Sequence, residues 1–224
     1  MADELDDDVA PLSDPNPRYR RRSEELEFER VAFFSDAVFA IAMTLLVVGI
    51  GIPHVRDSSA IAGKLGDKGN EIFSFFLSFL VIGLYWLAHH RFFARLVAVD
   101  TRFMQLNLAY LAAIAFMPFP TALVGSYGGD QAVVIVLYAI TLSFASLMEA
   151  MMFWHAQHAG LARKRLPPEA FRNYMIAALA PATIFLLSIP VAIYVDPGTA
   201  LSMWVLIFVA EFLIGKFLRI EDPI

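Results

Sequence analysis

Arg30-Val31-Ala32-Phe33-Phe34-Ser35-Asp36 runs directly into Ala37-Val38-Phe39-Ala40-Ile41-Ala42-Met43-Thr44-Leu45-Leu46-Val47-Val48, and this junction decides the fold. A charge opens it, a carboxylate stands midway, and the run beyond is apolar for long enough to cross a bilayer. An ionisable side chain in or beside a membrane span is costly, so it marks a candidate functional position. Arg30 and Asp36 can partly neutralise one another. Charge placement alone equally allows an arginine at the headgroups and an aspartate favoured by the helix dipole.

Outward from this stretch, the composition agrees. The chain has 224 residues, 58% of them hydrophobic, and a mean hydropathy of +0.62, values of a polytopic membrane protein. It contains no cysteine, which excludes disulfides, thiol catalysis and cysteine-based metal sites. The net charge of -5 comes largely from the acidic run Asp3-Glu4-Leu5-Asp6-Asp7-Asp8. With the Pro-rich segment from Pro11 to Pro17, that run reads as disordered. The N-terminus is acidic where a secretory signal needs positive charge, so the first span is expected to stay as an anchor.

Apolar runs of about 20 residues place six spans near 31–52, 71–94, 103–125, 131–156, 171–194 and 199–218. The fold class is therefore all-α, with six transmembrane helices per subunit. A tail over 1–28, a membrane domain over 29–219 and a short tail over 220–224 complete the organisation. Ser58 to Leu65 suggests a short interfacial helix. Pro118 and Pro120 are expected to kink the third span, and Pro181 and Pro190 the fifth. Lys and Arg divide 14 against 3 between the two sides, the poorer side holding Arg56, Lys64 and Lys68. The positive-inside rule then puts both termini in the cytoplasm of a multi-pass cell-membrane protein. No internal repeat is present.

At about 100° per residue, Ile41, Leu45 and Val48 fall on one narrow stripe of the first helix, with Thr44 roughly 60° aside. Ser35 and Asp36 point about 120° and 140° away from Ile41. One face could thus line an aqueous path while the other fastens the helix to its own subunit. An all-apolar helix always contains some such trio, so the pattern alone does not choose between pore lining and packing. Arg30 and Asp36 are about 120° apart around the helix and need a third group between them. Trp86, His89 and His90 are the candidates, because Trp86 shares a face with both histidines at i+3 and i+4. An indole N–H suits a carboxylate, and imidazole can donate or accept. The two histidines diverge by about 100°, so the network is expected to take one of them.

The R-x-x-x-F-S-D pattern of Arg30, Phe34, Ser35 and Asp36 resembles the signature of the transmembrane protein 175 family of potassium channels. Gly83-Leu84-Tyr85-Trp86-Leu87-Ala88-His89-His90-Arg91 resembles the second helix of bacterial members. Leu106-Asn107-Leu108 and Ala115-Phe116-Met117-Pro118-Phe119-Pro120-Thr121 add a softer match. The resemblance covers roughly the first half of the chain. It implies a homotetramer with the first helix lining the pore and large aliphatic side chains as its narrowest layers. Carried onto this chain, those layers are Ile41, Leu45 and Val48, with Thr44 hydroxyls nearby and potassium ions in transit near Ile41 and Thr44. The third layer holds valine where the family often has leucine.

Other signals carry less. Val124-Gly125-Ser126-Tyr127-Gly128 resembles a T-V-G-Y-G filter but is interrupted by serine, and a turn is expected there. Glu149 and Glu211 are membrane carboxylates, and Glu149 with His155 and His158 lacks H-E-x-x-H spacing. No phosphate loop, nucleophile elbow or dinucleotide fingerprint appears, so no enzyme, cofactor or nucleic-acid partner is expected. The reading is a passive, potassium-favouring channel for monovalent cations in a lipid bilayer, gated at a hydrophobic constriction. The alternative is a secondary transporter or proton-coupled carrier using Asp36, His89 and His90, although a transporter is expected to show inverted repeats.

Overall fold

The computed structural model describes residues 17–52, 61–207 and 209, with side chains from residue 25 onward. Helix α1 spans Pro17–Leu45 and tightens into a 3-10 turn over Leu46–Gly49. Its start replaces disorder over 17–28 with helix. Pro17 opens it, where a missing N–H costs nothing, and Arg, Glu and Leu beyond are good helix formers. Residues 1–16 of the expected tail lie outside the described residues.

Helix α2, Ile61–Gly66, overlaps the expected interfacial segment and ends one residue beyond it; residues 58–60 of that segment are not described. Helix α3 spans Gly69–Phe93, α4 Thr101–Phe116 and α5 Pro118–Tyr127. Helices α6, Ala132–Ala159, and α7, Pro168–Tyr194, are the longest after α1, and α8 covers Pro197–Met203. Five stretches are long and apolar enough to cross a membrane: Glu25–Gly49, Gly69–Phe93, Thr101–Asp130, Ala132–Ala159 and Pro168–Tyr194. The sixth expected span begins as the shorter apolar helix Pro197–Ile207, and its residues 208 and 210–218 are outside the described set. The architecture is all-α and polytopic, and among the described residues no strand forms.

Proline explains the break between α4 and α5. Pro118 has no N–H to return to the preceding turn, and Met117 closes a tighter bond to the Ile114 carbonyl at 3.1 Å. Pro120 falls in the first turn of α5, where no intrahelical donor is needed. Pro181 and Pro190 remain inside an unbroken α7. The filter-like stretch ends α5 and turns at Gly128, whose φ is 68°.

α6 is the central post, packed against α4, α5, α7 and α8. Its Ile135, Tyr138, Leu142, Ala145, Met152 and Ala156 are fully or almost fully buried. In a bilayer, apolar contact does not distinguish a neighbouring helix from lipid, so close packing and hydrogen bonds fix partners. Ser78 Oγ of α3 lies 3.0 Å from the Tyr138 hydroxyl of α6 and 2.8 Å from Thr121 Oγ1 of α5. Trp204 donates its indole N–H to Ser188 Oγ at 3.0 Å, joining α7 to the segment after α8. Gly125 lets α5 approach α3 closely: a Cβ there would stand 3.0 Å from the Glu71 Cα.

At the other end, the segments following α3 and α6 are joined. Val97 donates to the Leu161 carbonyl at 2.9 Å and Arg163 to that of Arg95 at 2.7 Å. The α4 N-cap, Asp100, accepts from the Phe103 amide at 2.7 Å and meets His155 Nε2 of α6 at 2.9 Å.

Candidate functional site

α1 has two faces of opposite chemistry. Ser35, Phe39, Ala42 and Leu46, at i, i+4, i+7 and i+11, are buried to 2% exposure or less. Opposite them stand Ile41 at 58%, Leu45 at 45% and Val48 at 73% exposure, with Thr44 exposed alongside. The Thr44 hydroxyl donates to the Ile41 carbonyl at 2.9 Å, which leaves its oxygen lone pairs directed off the helix.

The buried face is fastened by polar groups. Ser35 Oγ donates to the Val31 carbonyl at 2.8 Å and accepts from Asn107 Nδ2 of α4 at 3.0 Å. Asn107 Oδ1 faces His89 Nε2 of α3 at 3.0 Å, so that nitrogen carries the proton. Rings close around the imidazole: Phe93 stacks at 4.3 Å and Tyr110 at 5.4 Å, with Phe39 at 5.5 Å. One chain of hydrogen bonds thereby links α1, α4 and α3 through groups with no access to water.

A second fastening runs beside it. Trp86 donates its indole N–H to Asp36 Oδ1 at 2.9 Å, and His90 stacks on Trp86 at 5.4 Å. The structure thus brings Ser35, Asp36, Trp86, His89 and His90 to the α1–α3–α4 junction. His89 enters the hydrogen-bonded chain, while His90 contributes its ring face. Arg30 and Phe34 are not drawn in: both are exposed, and the Asp36 carboxylate is met by Trp86.

Asn107 is the residue sequence reasoning passed over. It was noted only as part of a matching segment, yet it bridges Ser35 and His89. An amide set in an apolar helix is the available signal, since such a group needs partners when buried. Of the α6 histidines, His155 pairs with Asp100, and His158 Nδ1 donates to the Trp154 carbonyl at 2.7 Å. Among the described residues no group of three metal-ligating side chains converges.

Comparison with known proteins follows the same boundaries. The family described as "Endosomal/lysosomal potassium channel TMEM175" matches residues 30–118, the stretch that holds both fastenings. A protein of Streptomyces collinus named as a potassium channel is 36% identical over 137 residues, covering 60% of this chain and 66% of that one. Another so named, from Chamaesiphon minutus, is 34% identical over 155 residues, 67% of this chain and 74% of its own length. A solved TMEM175 homolog from Chamaesiphon minutus superposes with a TM-score of 0.70 at 24% identity, covering 87% of this chain and 98% of that chain, which establishes a shared fold. With motif, helix order and similarity in agreement, the chain belongs to the endosomal/lysosomal potassium channel TMEM175 family.

Proposed function

We propose that the chain is one subunit of a homotetrameric, potassium-favouring cation channel, its pore lined by the exposed face of α1. The observation that carries this reading is the stripe of Ile41, Leu45 and Val48 left uncovered on a helix whose other face is fastened by Ser35 and Asp36. A single helix cannot enclose a path, and closed rotational symmetry is the usual way to surround one. Repeated about an axis, the three aliphatic layers form a constriction that excludes water by dewetting as well as by bulk. Thr44 oxygens beside Ile41 replace part of a potassium ion's hydration. The names of the Streptomyces and Chamaesiphon relatives support potassium as the ion. Flux is passive, and both termini face the cytoplasm, as the distribution of Lys and Arg favours.

The test is one potassium flux assay on reconstituted variants. Leu45→Asn keeps a similar volume but offers water polar partners, so flux rises. Leu45→Ala widens the layer and raises flux with weaker discrimination against sodium, and Thr44→Ala also weakens potassium preference. Leu46→Asn, on the buried face, lowers the yield of folded protein instead. A silent Leu45→Asn, or equal effects at 45 and 46, rejects the assignment. Flux that saturates at low turnover in place of conductance identifies a carrier.

A further inference from the structure

Phe34 belongs to the motif that opens the first span, yet the fastening of α1 leaves it out, with 52% of it exposed. Its side of the helix keeps a regular spacing. Phe34, Ala37, Ile41, Thr44 and Val48 alternate steps of three and four residues, and all of them are exposed. Such steps hold one seam of a helix against a common axis. The opposite side is closed: Phe28 meets the Phe93 ring at 5.9 Å, and Ser35, Phe39 and Ala42 are buried. Phe33 is exposed too, but it points about 100° from Phe34 and lies off the seam.

The layers along the seam differ in kind. Phe34 and Ile41 are bulky and apolar, and about 10.5 Å of helix axis separates them. Beyond Ile41 stands Thr44, which offers hydroxyl oxygens. Between Phe34 and Ile41 stands Ala37, which is small and has no polar side-chain atom. Arg30 and Glu27 continue the same spacing outward with opposite charges, both exposed, so Phe34 is the first uncharged layer from that end. Copies of α1 around an axis thus enclose a widened apolar chamber, with aromatic rings at its mouth and Ile41 as its floor. A potassium ion needs oxygens in place of its water, and the Ala37 level supplies none from its side chains. A quaternary ammonium ion has its charge wrapped in alkyl groups, and the faces of aromatic rings attract it.

We propose that Phe34, Ala37 and Ile41 form a binding chamber for quaternary ammonium ions at the cytoplasmic end of the pore, an inference that rests on the assignment of the pore to α1. The Phe34 rings attract the charge, the space beside Ala37 receives the alkyl groups, and the Ile41 layer stops passage toward Thr44. An ion held there blocks the path of potassium.

The test uses inside-out membrane patches with Leu45→Asn channels, whose opened constriction raises the current. Tetrabutylammonium at the cytoplasmic face blocks them, more strongly at voltages that drive cations outward. Phe34→Leu keeps an apolar side chain but no ring face, and weakens the block about tenfold or more. Phe34→Tyr retains the block, Ala37→Leu abolishes it by filling the chamber, and Phe33→Leu leaves it unchanged. The chain has no cysteine, which gives a second readout. Ala37→Cys reacts with a cationic methanethiosulfonate from the cytoplasmic face, and tetrabutylammonium protects it. A silent Leu45→Asn rejects the pore itself. Raised current without block, block unchanged in both Phe34→Leu and Ala37→Leu, or block from the outer face alone rejects the chamber and leaves the pore standing.

Discussion

A neutral amide stands where the sequence drew attention to charges. Asn107 accepts from His89 and donates to Ser35, and replacing it by Leu leaves the imidazole N–H without an acceptor in a site closed to water. The expected cost is about 1–3 kcal/mol, read as a lower melting midpoint of purified protein. Combined with His89→Phe, which removes the stranded donor, the loss is smaller than the sum of the two. Additive losses would mean that the two side chains do not meet. Asp100 titrates outside the span. Burial pushes its carboxyl up, but the Phe103 amide and the His155 ring outweigh this and hold it below the ordinary value of 3.8. A depressed folded pKa stabilises only while the group is ionised. Its contribution is therefore complete above that ordinary value and lost as pH falls through the lower folded one. Asp100→Ala removes the α4 cap at neutral pH, costing about 1 kcal/mol, and flattens the acid limb of the stability profile.

Among the elements, α1 departs from its expected period at the end where the stripe finishes. Three residues make a full 3-10 turn, so Val48 returns directly over Leu45, where the α-helical period leaves it about 60° short. The sequence indicated the stripe but not this tightening, which depends on how Leu46–Gly49 packs against α3 and α5. The spans themselves were legible, because apolar runs of bilayer length leave little choice of structure. The fastening was half legible: Trp86 and the histidines share a helical face, but no spacing rule connects Ser35 with an amide 72 positions away. The kink of the third span was expected from Pro118, whereas its division into two helices reflects the added bond from Met117 to Ile114. The meeting of α5 with α3 gives an element-scale prediction. Gly125→Ala sets a Cβ against Glu71 backbone, so the two helices must separate and the melting midpoint falls. Ser126→Ala, on the exposed neighbour, leaves it unchanged.

For the whole molecule, the proposed orientation puts Ser126 outside, so Ser126→Cys reacts with an impermeant thiol reagent from that side alone; labelling only from within would overturn the six-span arrangement. Asp36→Asn weakens the hold of Trp86 on α1 and is expected to reduce tetramer recovery and conductance more than ion preference. Intact tetramers with abolished cation preference would instead make Asp36 a pore ligand. The break at Met117 has a mechanical consequence. An α-helix resists bending through its continuous ladder of hydrogen bonds, and a missing rung concentrates flexure at one level. Below that pivot, Asn107 couples α4 to Ser35 of α1; above it, Thr121 and Gly125 hold α5 to α3. The third span is thus two rods meeting at one joint, the lower fastened to both α1 and α3 and the upper to α3.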